Sequence, residues 1–373
     1  MQDKTAADRW IAERMAHIES SGIRKVFDLA RSLKDPVNLS IGQPDFDVPQ
    51  PVKDAAHAAI EHGANGYTVT QGIAELRAKL KAQVQRRYGH RDRELFISSG
   101  TSGGLVLALC CTINPGDEVI VFDPYFVMYP HLVELAGGRS VILDTYPDFA
   151  IDPDRVRAAI TPRTKAILVN SPANPTGRSS AREALRELAV LARDKGVLVI
   201  SDEIYSAFCY DHPFVSPAEF NEDILVLDGF SKTYGMTGWR LGYAHGPRRL
   251  IEEMVKLQQF TFVCAPSMVQ WAGLAALDYD VSHFVKSYRH KRDRIYEGLK
   301  DRFEIAKPDG AFYLFPPVPR STGTEFVAEA VRNNLLVIPG NVFSRRDTHF
   351  RISYAADDRT LDRGIEILNR LAR

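Results

Sequence analysis

Lys232 and Arg240 lie eight residues apart in the stretch Ser231-Lys232-Thr233-Tyr234-Gly235-Met236-Thr237-Gly238-Trp239-Arg240. A lysine amine can condense with an aldehyde to form a Schiff base. An arginine with a nearby hydroxyl, here Ser231, can clamp a phosphate. The stretch follows Asp223–Phe230, a short apolar run that reads as a buried strand. Lys232 is therefore expected at the rim of a sheet, where open α/β folds bind their ligands. Taken alone, the motif reads first as a surface lysine in a glycine-rich loop.

Three further strand ends carry polar residues of the same kind. Leu95–Ser98 runs into Ser99-Gly100-Thr101-Ser102-Gly103-Gly104, small residues opening a helix. Such a turn exposes backbone N–H groups and the positive end of a helix dipole, which together bind anions. It matches neither G-x-x-x-x-G-K-[ST] nor G-x-G-x-x-G, so a nucleotide loop is disfavoured. Ala166–Asn170 runs into Ser171-Pro172-Ala173-Asn174-Pro175-Thr176-Gly177, where prolines and glycine fix the backbone that presents Asn174. Val197–Ile200 runs into Asp202, with Tyr205 three residues later. A carboxylate there can pair with a protonated ring nitrogen, and the phenol can reach an adjacent ring oxygen. Each turn by itself reads as a helix cap or an ordinary turn. Together they describe one ligand bearing a phosphate, a hydroxylated pyridine ring and an aldehyde, which is pyridoxal 5'-phosphate.

The elements that must position these residues alternate regularly. Strands are expected at Glu118–Phe122, Ser140–Thr145 and Leu241–His245, and helices at Ser102–Ile113, Met128–Ala136, Asp152–Ile160 and Ala181–Lys195. The last has apolar residues at 184, 185, 188, 189, 191 and 192 and a closing Gly196. Strands alternating with helices predict an α/β fold with a mostly parallel sheet covered on both faces. One long helical region is expected from Pro247 to about Phe303. A tail of mixed helices and short strands follows, including Leu336–Ile338 and Phe350–Tyr354. The expected division is an N-terminal segment, 1–45, joining a small α+β domain, 286–373, beside a large cofactor domain, 46–285.

Composition narrows the function classes. The chain has 373 residues, 45% hydrophobic, with 47 basic and 47 acidic side chains. Zero formal net charge gives no footprint for nucleic acid or an anionic membrane. The run Arg289-His290-Lys291-Arg292-Asp293-Arg294 is expected as a solvated helix face. The four cysteines show no metal-ligand spacing and are expected as small buried hydrophobes in a reduced compartment. No signal-peptide pattern opens the chain, and its apolar runs are too short to span a bilayer, so a cytoplasmic protein is expected.

The ordered set of motifs resembles the class I/II aminotransferases, the fold type I pyridoxal-phosphate enzymes that include the aspartate aminotransferases. The resemblance runs from Ser40-Ile41-Gly42-Gln43-Pro44-Asp45-Phe46 through Gly66-Tyr67-Thr68, Asn174-Pro175-Thr176-Gly177, Ser201-Asp202-Glu203-Ile204-Tyr205 and Ser231-Lys232 to Phe350-Arg351-Ile352-Ser353. It implies Lys232 as the Schiff-base lysine and proton carrier, and Asp202 as partner of the pyridine nitrogen. Tyr205 and Asn174 would bond the ring oxygen, and Gly100, Thr101, Ser102, Ser231 and Arg240 the phosphate. Phe126 would stack on the ring, although many family members have tryptophan there. Arg351 and the Gly42 N–H would hold the substrate carboxylate. Tyr67 would reach the cofactor of a partner subunit, which implies a homodimer with shared sites. The implied reaction passes the amino group of an L-amino acid to a 2-oxo acid, 2-oxoglutarate foremost, by ping-pong kinetics. A carbon–sulfur β-lyase on the same scaffold is the alternative, and a non-catalytic cofactor-binding regulator a remote one. No second arginine for a side-chain carboxylate is evident; Arg24 is the one candidate.

Overall fold

The computed structural model describes residues 9–18, 20, 22–23, 33–90 and 92–373. Arg24 and part of the N-terminal segment lie outside the described residues. After a 3-10 turn at Glu13–His17, the described residues form β1 (Val37–Asn38), α1 (Gln50–Glu61), α2 (Ala74–Tyr88), β2 (Arg93–Ser99) and α3 (Gly100–Thr112). The middle comprises β3 (Glu118–Asp123), α4 (Met128–Leu135), β4 (Arg139–Asp144), α5 (Pro153–Ala159), β5 (Thr164–Asn170), α6 (Arg182–Lys195) and β6 (Leu198–Asp202). Then come β7 (Leu225–Gly229), β8 (Leu241–Pro247), α7 (Arg248–Gln259), α8 (Ser267–Ala276) and α9 (Ser282–Leu299). The tail holds β9 (Tyr313–Leu314), α10 (Gly323–Arg332), β10 (Leu335–Leu336), β11 (Ile338–Pro339), β12 (Phe350–Ser353) and α11 (Asp358–Leu371).

Seven strands form the central sheet in the order β2-β8-β7-β6-β5-β3-β4. Only β8 runs against the others. The expected mostly parallel α/β sheet is therefore present, and its inner strands are buried on both faces. The stripe read on α6 is the buried one: Leu185, Leu188, Ala189, Leu191 and Ala192 face the sheet, and Gly196 at φ 66° closes the helix. Each leucine so buried contributes about 1.5–3 kcal/mol of transfer free energy.

The tail forms a separate three-stranded antiparallel sheet, β11-β12-β9, while β10 pairs in parallel with β1. The single strand expected at Leu336–Ile338 is thus two short ones, split at Val337 between two sheets. Their core joins Val37 and Leu39 to Phe312, Tyr313, Phe350 and Ile352, and also takes in Tyr205 and Phe208 from the turn after β6.

Three expectations need correction. The long helical region is three helices, because Pro266 caps α8 and Val263 turns the chain at φ 64°. The cysteines are not fully buried: Cys110 is exposed and Cys111 partly so, since the last turn of α3 emerges from the core, and Cys209 and Cys264 are partly exposed on loops. The charged run on α9 is not wholly solvated. Arg292 is fully buried and donates to Asp211 Oδ2 at 2.6 Å and Pro308 O at 2.7 Å, and Lys291 pairs with Asp45. Among the described residues, no helix is long and apolar enough to cross a membrane.

Candidate active site

Strands β2, β3, β5, β6 and β7 all end at one edge of the sheet. Because β8 is reversed, the residue that precedes it, Arg240, stands at the same edge. This edge opens into a cavity of about 310 Å³. It is lined by Gly42, Thr101, Ser102, Phe126, Asn174, Asp202, Tyr205, Ser231, Lys232, Arg240 and Arg351. Residues from strand ends spread over more than 300 positions of sequence thus share one space, near where the sheet order reverses between β3 and β5.

Lys232 follows β7 by three residues, and its Nζ donates to Gly42 O at 2.6 Å. Burial, with the cations of Arg351 and Arg240, brings its pKa down to about 8 against the pull of Asp202. Asp202 closes β6. Its Oδ2 accepts from Tyr129 OH at 2.8 Å and its Oδ1 from Ile204 N at 3.2 Å. Burial pushes this carboxyl up to about 6, opposed by those two bonds and by Lys232. A cationic ring nitrogen against Asp202 would offset that cost.

The first turn of α3 closes one end of the cavity. Gly100 has φ 71°, and a Cβ there would lie 2.9 Å from Arg240 Cζ, so the glycine lets the guanidinium pack flush against the turn. Gly242 and Gly229 are similarly tight: a Cβ would come 2.6 Å from Gly100 C and 2.9 Å from Thr101 Oγ1 respectively. Thr101 Oγ1 is buried with no hydrogen-bond partner among the described residues, which leaves it a donor for a bound anion. Arg240 itself, at φ 57°, is held by donation to Thr237 O at 2.9 Å.

The opposite end is built by Arg351 on β12. Its guanidinium is buried between the rings of Tyr313 and Phe343, 4.7 Å and 4.6 Å from their centroids. It donates to Asn174 Oδ1 at 3.0 Å and Ser40 O at 2.6 Å, while its Nε has no partner among the described residues. Acceptance from Arg351 turns the Asn174 amide nitrogen free to donate. Asn174 is fixed in turn by its own N–H to Asn170 Oδ1 at 2.9 Å.

A profile of the family described as aminotransferase class I and II matches residues 34–368. The chain belongs to that family. Among similar proteins, the probable aspartate aminotransferase of Methanocaldococcus jannaschii is 37% identical over 97% of this chain and 99% of its own length. The aspartate/prephenate aminotransferase of Thermus thermophilus is 38% identical over 92% of each chain. The solved structure of the Thermus thermophilus aspartate aminotransferase with maleate superposes with a TM-score of 0.92 at 35% identity, over 97% of this chain and 99% of that one.

Of the residues singled out in the sequence of this aminotransferase, two stand apart from the cavity lining. Gly100 lies beneath Arg240. Tyr67 is 87% exposed, on a loop anchored by donation from Gln270 to Thr68. Sequence reasoning missed Tyr129, Asn170 and Tyr313, which contact Asp202, Asn174 and Tyr205. Tyr129 follows Phe126 by three residues at the start of α4, a spacing that offers a signal; Tyr313 sits in an aromatic run that reads as core.

Proposed function

We propose that this aminotransferase carries pyridoxal 5'-phosphate on Lys232 and moves the amino group of an L-amino acid to a 2-oxo acid, 2-oxoglutarate foremost, in two half-reactions at one site. The observation that carries the reading is the position of Lys232 between an anion cradle, a buried carboxyl and a carboxylate-binding arginine. The residues present fit the cofactor: Thr101 Oγ1 awaits an acceptor and the Gly100 turn leaves Arg240 room beside it. When bound, the cofactor supplies an aldehyde carbon for amines and a ring that accepts electrons as an α-proton leaves.

Gly100, Thr101, Ser102, Ser231 and Arg240 bind the phosphate in this reading. Asp202 would hold the ring nitrogen protonated, and Tyr205 and Asn174 would donate to the ring oxygen. Phe126 would pack against the ring. Arg351 and the Gly42 N–H hold the substrate carboxylate, which orients the α-carbon toward Lys232. Lys232, with its pKa near 8, has an accessible neutral form and would take and hold the α-proton. Near Gly42 the wall is apolar at Ile23 and Ile41, which favours uncharged donor side chains.

Ping-pong kinetics follow from one site serving both half-reactions. A homodimer with Tyr67 reaching the partner's phosphate is part of the proposal, supported by the exposed apolar side chains Tyr67, Val69, Phe260 and Phe262. So is a division at about 46 and 286, supported by the separation of the seven-stranded sheet from the two small sheets of the tail.

The test is the absorbance of the purified protein with added cofactor, before and after single L-amino acids without any oxo acid. A visible band that converts to the near-ultraviolet form establishes the first half-reaction, and the amino acids that cause it rank the donors. A bound visible band that releases pyruvate and ammonia from cystathionine instead makes the enzyme a lyase. A protein that takes up no cofactor overturns the assignment of Lys232.

A further inference from the structure

Tyr313 is fully buried, and its hydroxyl lies 2.7 Å from that of Tyr205. Two phenols at that distance share one hydrogen: one donates and the other accepts. Tyr313 also touches the rest of the site. It stands on β9, paired with Ser353 of β12, which makes it the diagonal neighbour of Arg351 on one sheet face. The Arg351 guanidinium lies over its ring. A Cβ on Gly42 would come 2.7 Å from its hydroxyl, so the Gly42 backbone rests against the phenol. The Gly42 carbonyl accepts from Lys232. One side chain therefore contacts the carboxylate-binding arginine, the backbone that meets Lys232 and the phenol assigned to the ring oxygen.

We propose that Tyr313 is a positioning residue that donates its hydroxyl hydrogen to the Tyr205 oxygen, committing the Tyr205 hydrogen to the cavity. The inference rests on the proposed role of Tyr205 toward the cofactor ring oxygen. In the opposite arrangement Tyr205 would spend its only hydrogen on Tyr313 and could not donate to a ligand. Accepting a hydrogen bond also makes Tyr205 the stronger donor, because bonds in a dry chain polarise one another. A donor at the ring oxygen stabilises negative charge there, so it favours loss of the neighbouring proton and lowers the pH at which the bound cofactor changes colour. Tyr313, which lines the same cavity, thus tunes that colour change through Tyr205.

The test is a double-mutant cycle of Tyr205→Phe and Tyr313→Phe on the full-length protein loaded with pyridoxal 5'-phosphate. The readout is the pH midpoint of the visible absorbance change. Phenylalanine keeps the aromatic packing of Tyr313 and its face toward Arg351, and thermal melts verify the fold. Tyr205→Phe is expected to raise the midpoint by about 1–2 pH units, the loss of one bond to a charged group. Tyr313→Phe is expected to raise it by roughly 0.1–0.6 unit, the cooperative fraction of that bond, with KM for the amino acid within about twofold because the stack on Arg351 remains. In the Tyr205→Phe background, Tyr313→Phe should add nothing. An unchanged midpoint in Tyr313→Phe, or the same shift in both backgrounds, overturns the inference while leaving the function intact. No visible band in the wild type, or no shift in Tyr205→Phe, overturns the underlying reading instead.

Discussion

Replacing Gly100 with alanine tests the anion cradle without removing any charged group. The added Cβ meets two penalties that the structure separates. Gly100 sits at φ 71°, and holding an L-residue in that region costs about 1–2 kcal/mol, which should appear in the stability of the cofactor-free protein. The Cβ would also lie 2.9 Å from Arg240 Cζ, closer than such atoms approach, so the guanidinium must leave the turn. Losing one charge-assisted bond to phosphate costs about 1.5–3 kcal/mol, roughly a 10- to 150-fold rise in the cofactor dissociation constant. Equilibrium titration of the cofactor by absorbance measures it. The same titration in an Arg240→Ala background isolates the cause. With the guanidinium gone, Gly100→Ala should retain only the part of its penalty that does not pass through Arg240. Full cofactor affinity in Gly100→Ala would refute the cradle. An equal penalty in both backgrounds would show that the backbone, and not Arg240, is what Gly100 protects.

Three other expectations follow from the site. Arg351→Lys should lower kcat/KM for amino-acid substrates by roughly 10- to 100-fold, because an ammonium cannot stack between Tyr313 and Phe343 while forking to Asn174 and Ser40. Steady-state kinetics decide it, and an unchanged KM and kcat would remove Arg351 from substrate binding. Asp202→Asn should reshape the acid limb of stability in the cofactor-free protein. The native carboxyl pKa is raised from 3.8 to about 6, so the folded state holds the proton through that window and loses about 3 kcal/mol as pH climbs from 4 to 7. Urea melts should therefore show the variant gaining on the wild type over that range; parallel pH profiles would mean that Asp202 is solvated. Lys232→Ala should abolish turnover and let the cofactor escape on dialysis, and turnover that survives would sink the covalent assignment.

What the sequence displayed was local chemistry at strand ends, and what it concealed was pairing between distant ones. Asp202, Asn174 and Lys232 were legible because each follows a short apolar run and sits in a turn whose residue types restrict the backbone. Arg240 was legible as a charge near Lys232, but its place at the same edge depends on β8 running backwards, which no local pattern signals. Tyr129 and Tyr313 were hidden for a different reason. Each reaches its partner across 73 and 108 residues of sequence, and a tyrosine beside apolar neighbours reads as core packing. Arg292 inverts the same lesson. A run of six polar residues on α9 reads as solvated, yet the fork of Arg292 finds Asp211 and the Pro308 carbonyl and is buried whole. Periodicity locates a helix face but not the acceptors opposite it, and those acceptors decide whether an arginine enters the core. The same holds at the cavity. Arg351 lies in a four-residue strand with three buried neighbours, and the Tyr313 and Phe343 rings, the Asn174 amide and the Ser40 carbonyl make its buried charge tolerable while Nε has no partner among the described residues. An arginine held between two rings and two acceptors, with its Nε unpartnered among the described residues, is a cation suited to an anion, and that fitness is a property of the assembled edge rather than of any one motif.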